Sequence, residues 1–323
     1  MMARPFRFPR VAVRVLAAAG LLAAVAPSAP ALAETPVEPL PVTEIAPGVF
    51  VHQAPYQLIT PANDGAISNM GFIVGDEAVA VIDTGNTPLA GRRLLAAVRA
   101  RTQLPVRYVI NTHMHPDHTL GNAAFRDEKP RFVGHAKLPR ALAARAASYV
   151  DAAKRDLGPE LAPTRDDVIL PDTTTPDRLT LDLGGRPLEL EAEPTAHTDN
   201  DLTVFDPKTG TWFLGDLLFI GHLPSIDGSL EGWVKVMARA RGRAVARVVP
   251  GHGPASAPWP QALEPQQRYF DRLRADVAAL VAKGASLREA SEKAGLSERD
   301  GWALFDEFNA RNAIAAFTEE EWR

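Results

Sequence analysis

The 323-residue chain reads as a mixed α/β (α+β) protein, with two packed β-sheets, helices on their outer faces and a helical tail. Three observations give that class. Short β-branched and aromatic runs are followed by helix-periodic stretches, and this order occurs twice. Beyond Pro258 the composition turns to helix formers. With 46% hydrophobic residues, the chain can also fill a sizeable core. No short internal repeat is evident.

The first 33 residues stand apart. Arg4, Arg7, Arg10 and Arg14 precede an apolar run from Val15 to about Val25, small residues lead to Ala31-Leu32-Ala33, and no acid occurs before Glu34. This is the layout of a cleavable secretory signal, with cleavage expected after Ala33. The apolar core of about 11 residues falls short of the ~20 that a spanning helix needs, so no stable membrane anchor is expected. The expected location is therefore periplasmic or secreted. Residues 34–44, rich in proline, read as a linker.

Next, Val49–His52, Met70–Val74 and Ala78–Ile82 read as short strands separated by turn residues such as Gly75-Asp76. A helix is predicted from Pro88 to Arg101, because Leu94, Leu95 and Val98 recur at helical spacing and proline suits a first turn. Val106–Ile110 is a buried strand, Arg131–Val133 another, and Pro139–Leu157 an alanine-rich amphipathic helix. Leu179–Leu183 with Leu188–Ala192, and Leu202–Phe205 with Trp212–Leu214, read as hairpins. A helix near Gly232–Arg241 and a strand at Val245–Val249 follow. In the tail, Tyr269, Leu273, Val277, Leu280 and Val281 form an apolar stripe that predicts a helical extension packed on the preceding domain.

Composition excludes several chemistries. There is no cysteine, hence no disulfide, thiolate ligand or cysteine nucleophile. Any metal site must use His, Asp and Glu. Without the four leader arginines, 31 basic residues face 39 acidic ones, a net charge of −8, which argues against a nucleic-acid partner.

Eight histidines are present, and three fall in Asn111-Thr112-His113-Met114-His115-Pro116-Asp117-His118, directly after the strand ending at Ile110. In an extended segment alternate residues share a side, so His113, His115 and Asp117 are expected to face one point. Pro116 then turns the chain, and His118 enters from the next short helix. Burying such a set without a metal would cost several kcal/mol. His197, Asp216 and His252 each sit where a strand ends or a loop begins, which makes seven nitrogen and oxygen donors, about what two metal ions need. His135, His52 and Trp233 read as structural residues, whereas His222 could face the pocket and contact substrate.

The pattern His113-x-His115-x-Asp117-His118, then His197, Asp216 and His252, with Asp83 upstream, resembles the metallo-β-lactamase superfamily across roughly residues 45–256. The resemblance implies an αββα sandwich and a metal-dependent hydrolase with two zinc ions. It implies that His113, His115 and His197 hold one metal, that Asp117, His118 and His252 hold the other, and that Asp216 bridges them. It implies that Asp83 supports the ligands from behind. Residues 45–256 would be the catalytic domain and 257–323 the helical extension.

A metal pair about 3.5–4 Å apart lowers the pKa of a bridging water toward neutrality, which suits hydrolysis of an ester, thioester, lactone or amide-like small molecule, with Asp117 taking or relaying a proton. Lacking cysteine and with Asp216 as the bridge, the chain is more similar to the glyoxalase II, lactonase and sulfur-dioxygenase side of the superfamily than to its β-lactamases. The export signal, Gly215-Asp216-Leu217-Leu218-Phe219, His222-Leu223-Pro224 and a tail ending in Glu321-Trp322 resemble the SoxH-related quinoprotein relay system zinc metallohydrolases. That implies a functional link to a periplasmic pyrroloquinoline-quinone-dependent quinoprotein. An iron-dependent persulfide dioxygenase, a β-lactamase-like enzyme and a non-catalytic accessory metalloprotein are the alternative readings.

Overall fold

The computed structural model describes residues 37–322, with isolated residues 1–3, 9 and 12 of the leader. The signal sequence expected over residues 1–33 lies, apart from those few positions, outside the described residues. Among the described residues no helix is long and apolar enough to cross a membrane.

The first sheet has seven strands in sequence order: β1 (Thr43–Ala46), β2 (Val49–His52), β3 (Met70–Val74), β4 (Val79–Ile82), β5 (Val106–Ile110), β6 (Arg131–His135) and β7 (Thr173–Thr175). Strands β1 to β4 pair antiparallel, and β4 to β7 pair parallel. The second sheet contains β8 (Arg178–Asp182), β9 (Pro187–Ala192), β10 (Leu202–Asp206), β11 (Thr211–Phe219) and β12 (Arg247–His252), in the order β12-β11-β10-β9-β8. Its strands are antiparallel except for the β11–β12 pair.

The sheets pack face to face, with Val49, Val51, Ile82 and Ile110 of one meeting Leu188, Leu190, Val204 and Phe213 of the other. Helix α1 (Pro88–Arg99) crosses from β4 to β5 and buries Ala90, Leu94, Ala97 and Val98 on the outer face of the first sheet. Thr87 caps it, its hydroxyl accepting from the Ala90 amide at 3.0 Å. The short helix α2 (Pro116–Thr119) and the long α3 (Leu138–Leu157) follow. Helix α4 (Leu230–Ala240) joins β11 to β12 and packs Trp233, Val236 and Met237 on the second sheet. Over the same face lie α5 (Glu264–Val281), α6 (Leu287–Lys293) and α7 (Phe305–Glu321), through Tyr269, Phe270, Leu273 and Phe317. The architecture is the αββα sandwich with C-terminal helices.

Among the elements that differ from the sequence reading, two strands have a clear physical reason. The strand β7, Thr173-Thr174-Thr175, has no apolar alternation to announce it; backbone pairing with β6 makes it a strand. Strand β11 runs on to Phe219, where Gly215-Asp216 had read as its end. Gly215 adopts a positive φ of 52°, and the pairing with β12 slips between Phe213 and Phe219. The strand bulges there instead of stopping, which turns the Asp216 side chain toward the sheet edge.

A fully buried ion pair ties the two sheets together. Arg186 donates to both oxygens of Asp206, at 3.2 and 2.6 Å, and to the Val74 carbonyl at 2.8 Å. Val74 closes the end of β3 remote from Met70, and β4 runs antiparallel beside it, so the pair lies at the opposite end of the sandwich from Asp83.

Candidate metal centre

The donors gather where β4, β5, β11 and β12 end or bulge. Asp83 follows β4 in a left-handed conformation, φ 56°, and is buried. Its carboxylate accepts from the Thr112 amide and hydroxyl, both at 2.8 Å, and from His118 Nδ1 at 2.8 Å. A left-handed aspartate is strained, and these three bonds hold it.

Two donor groups lie side by side: His113, His115 and His197 with Asp216, and Asp117 with His118 and His252. The expectation that alternation would aim His113, His115 and Asp117 at one point is corrected here. Helix α2 begins at Pro116, so Asp117 is carried round with His118 and faces the second group.

In the first group, His113 Nε2, His115 Nδ1 and His197 Nε2 lie 3.0 to 3.3 Å from one another. The opposite nitrogen of each ring has its own acceptor: Thr112 Oγ1 for His113 at 3.1 Å, Asp227 Oδ2 for His115 at 3.0 Å and the Ser225 carbonyl for His197 at 2.7 Å. Each far nitrogen therefore keeps the proton, and three lone pairs converge. Such lone pairs repel unless a cation sits among them. A tetrahedral zinc with bonds of about 2.0–2.1 Å sets its nitrogens about 3.3–3.4 Å apart, close to the spacing found.

The second group fits a cation on other grounds. His118 Nε2 and Asp216 Oδ1 are buried, 3.1 Å apart and without a hydrogen-bond partner. Burial works against charge on His252, yet Asp216 and Asp117 outweigh it and hold its pKa up at about 9. Burial likewise opposes the charged form of His118, but Asp216, Asp117 and Asp83 raise its pKa well above the usual range. The carboxylates thus require positive charge at this point, from protons or from a metal. In the first group burial prevails and takes His197 down to about 3, leaving it neutral and able to ligate. The residues fit two metal ions.

Asp216 stands between the groups. Its carboxylate lies 3.1 Å from His118, 3.4 Å from His197, 3.5 Å from His252 and 3.7 Å from His113. Gly251 makes room for it, since a β-carbon there would stand 1.9 Å from Asp216 Oδ1.

The centre forms the floor of a cavity of about 430 Å³ walled by Leu58, Ile67, Tyr149, Phe219 and Phe308. His222 lines it, donating through Nδ1 to the Leu223 carbonyl at 2.7 Å, and burial lowers its pKa to about 4. Trp233 packs edge-on to His197 and donates to the Leu217 carbonyl, outside the cavity lining. His52 and His135 are bonded locally, to the Pro41 carbonyl and the Lys137 amide, away from the centre.

Sequence reasoning missed Asp227 and Ser225, the partners behind His115 and His197, because Ser225-Ile226-Asp227-Gly228-Ser229 reads only as a turn. Burial would raise the Asp227 pKa, but its bond to His115 and the nearby Arg311 and Arg145 bring it to about 2. Their loop is fastened by α7, where Asn312 accepts from the Ile226 amide at 2.9 Å and donates to the Pro224 carbonyl at 2.6 Å.

Two outcomes are expected from these contacts. Asp83→Asn removes the charge behind His118, and metal affinity should fall about 10–100-fold, as measured by chelator competition. Affinity at the native level in a folded variant would exclude the role. Asp201, which accepts from the Thr198 amide and hydroxyl at 2.9 and 2.6 Å beside His197, has its pKa raised to about 8 by burial. Because the folded value lies above the unfolded one, this stability contribution is complete below ~4 and is lost as pH climbs toward 8. Between pH 5 and 7, Asp201→Asn should flatten the fall of unfolding free energy by up to about 1.4 kcal/mol per pH unit; an unchanged slope would exclude Asp201 as its source.

Comparison with known proteins agrees with this geometry. The family profile of the Metallo-beta-lactamase superfamily matches residues 63–252. A curated relative, the 2,4-dinitroanisole O-demethylase subunit alpha of Nocardioides sp. (strain JS1661), is 25% identical over 192 residues, covering 58% of this chain and 53% of its own length. A linear primary-alkylsulfatase of Pseudomonas sp. (strain ATCC 19151) is 31% identical over 67 residues, 21% of this chain and 13% of the relative. The chain thus spans about half the first relative and a small part of the second. Among solved structures, a metallo-beta-lactamase from Pontibacter korlensis superposes with a TM-score of 0.58 at 22% identity, covering 72% of this chain and 99% of the other. One from Hirschia baltica gives 0.55 at 17% identity, covering 72% and 98%. The chain belongs to the metallo-beta-lactamase superfamily.

Proposed function

We propose that this protein is an exported hydrolase with two zinc ions, acting on a small ester, thioester, lactone or amide-like substrate. The observation that carries the reading is the Asp216 carboxylate, within 3.7 Å of four imidazole nitrogens drawn from two adjoining donor groups. His113, His115 and His197 would hold one ion, Asp117, His118 and His252 the other, with Asp216 shared. When bound, two divalent cations bring the pKa of water toward neutrality and polarise a substrate carbonyl. Burial opposes ionisation of Asp117, but His118 and His252 hold its pKa well below the ordinary carboxylate range. It faces the reaction as a carboxylate able to take a proton. The largely apolar walls suit a small organic body.

Export rests on the arginine-led leader, and service to a periplasmic quinoprotein on the motifs at Gly215–Phe219, His222–Pro224 and Glu321-Trp322. Metal analysis of the purified mature protein, coupled to a hydrolysis panel, tests the whole reading. The named relatives add a primary alkyl sulfate and a nitroaryl methyl ether to that panel. Two zinc ions with metal-dependent turnover would support it. Iron with oxygen uptake on glutathione persulfide would convert it to a dioxygenase, and bound metal without turnover would leave an accessory metalloprotein.

A further inference from the structure

We propose that Arg145 of α3 and Arg311 of α7 form an anion-recognition site at the wall of the metal cavity, so that the substrate is an apolar molecule carrying one negatively charged end. This deepens the hydrolase reading and rests on it for the site of reaction. Apart from the candidate metal ligands, the charged groups lining the cavity are Arg145, Arg311 and Asp227. Two guanidinium groups thus face a single carboxylate. Arg311 donates to Asp227 Oδ1 at 3.2 Å. Asp227 Oδ2 is already engaged by His115 at 3.0 Å, and Arg145 stands 3.9 Å from it, beyond hydrogen-bond reach.

The surplus charge is therefore one guanidinium. Both arginines remain accessible to an incoming molecule, with side chains 41% and 58% exposed. They reach the same carboxylate from different helices, which leaves planar donor arrays of the kind that grip a carboxylate or sulfonate. The remaining lining is mostly apolar, with Leu58, Ile67, Phe219 and Phe308 around the body of the cavity and Gln57 and Ser225 among its few uncharged polar residues. A neutral substrate would leave that positive charge unmatched. A monoanion with an apolar body would match both wall and charge. Asp227 also separates the arginines from His115, so the anionic end would lie a short spacer away from the reacting bond.

Binding separates this inference from catalysis. The metal-loaded protein would be titrated calorimetrically with a phenylalkyl sulfonate, a weak metal ligand, and with the neutral phenylalkyl methyl sulfone of equal length. The sulfonate is expected to bind about tenfold tighter or better at low salt, with the preference shrinking as salt rises. In the Arg145→Gln/Arg311→Gln variant the preference should vanish at unchanged metal content, and Arg311→Lys should restore part of it to Arg311→Gln. Equal binding of the two probes, or a preference that survives the double variant, would overturn the proposal. A sulfonate preference in a protein that turns over nothing on the panel would keep this site and remove the hydrolase. Turnover of neutral and anionic esters alike, with no preference in binding, would keep the hydrolase and remove this site.

Discussion

Asp216→Asn is expected to lower kcat/KM by about three orders of magnitude and to reduce bound metal from two ions to at most one. The substitution keeps the size of the side chain, and with it the contact at Gly251. It removes the negative charge that faces four imidazoles at 3.1 to 3.7 Å. Without that charge the His118 and His252 end has Asp117, and Asp83 behind His118, to balance a cation, and the shared donor between the two groups is gone. Several kcal/mol of transition-state charge stabilisation depend on correctly held metals, and about 4 kcal/mol corresponds to a thousandfold. Metal analysis after dialysis, run beside steady-state kinetics, measures both effects. Two ions retained with near-native turnover would refute the assignment of Asp216 as the shared ligand.

Arg186→Ala is expected to cost about 3–5 kcal/mol of folding stability, the largest stability loss foreseen here, while leaving the metal content of folded molecules unchanged. Arg186 and Asp206 have side chains only 2% and 0% exposed, and the arginine also satisfies the Val74 carbonyl. Removing one partner strands a buried carboxylate and a buried carbonyl together. The double variant Arg186→Met/Asp206→Leu should lose less than Arg186→Ala alone, because no charge is left unpaired. Urea denaturation of the three proteins measures this. A loss under 1 kcal/mol in Arg186→Ala would show that water reaches Asp206 when the guanidinium leaves.

Much of the fold could be read from the chain because the strands that carry the core are apolar on both faces, as in Val79-Ala80-Val81-Ile82, and broken by turn residues. Strand β7 could not, since three threonines carry no pattern and only the neighbouring edge recruits them. The bulge in β11 was hidden for a related reason: Gly215 and Asp216 have the local character of a turn, and a tertiary constraint keeps the strand going. At the site, the donors are residue types whose spacing is visible in one dimension. The carbonyl of Ser225 and the carboxylate of Asp227 are brought in by packing, 28 and 112 positions away from the histidines they serve, and the arginines of α3 and α7 reach Asp227 in the same way. Period-two alternation also failed for Asp117, because one proline changed the local period.

The grip of Asn312 on the Pro224–Ile226 loop bears on how this centre could be transferred or inherited. Every candidate ligand lies before Gly253, so a fragment ending there would carry the full set of donors. Yet the loop that steadies His115 and His197 is held by a side chain some 60 residues further on, itself bonded to Tyr269 of α5 at 3.0 Å. Grafting the histidine motif onto another sandwich would move the chemistry without its scaffold. The transferable module is the sandwich together with its C-terminal helices.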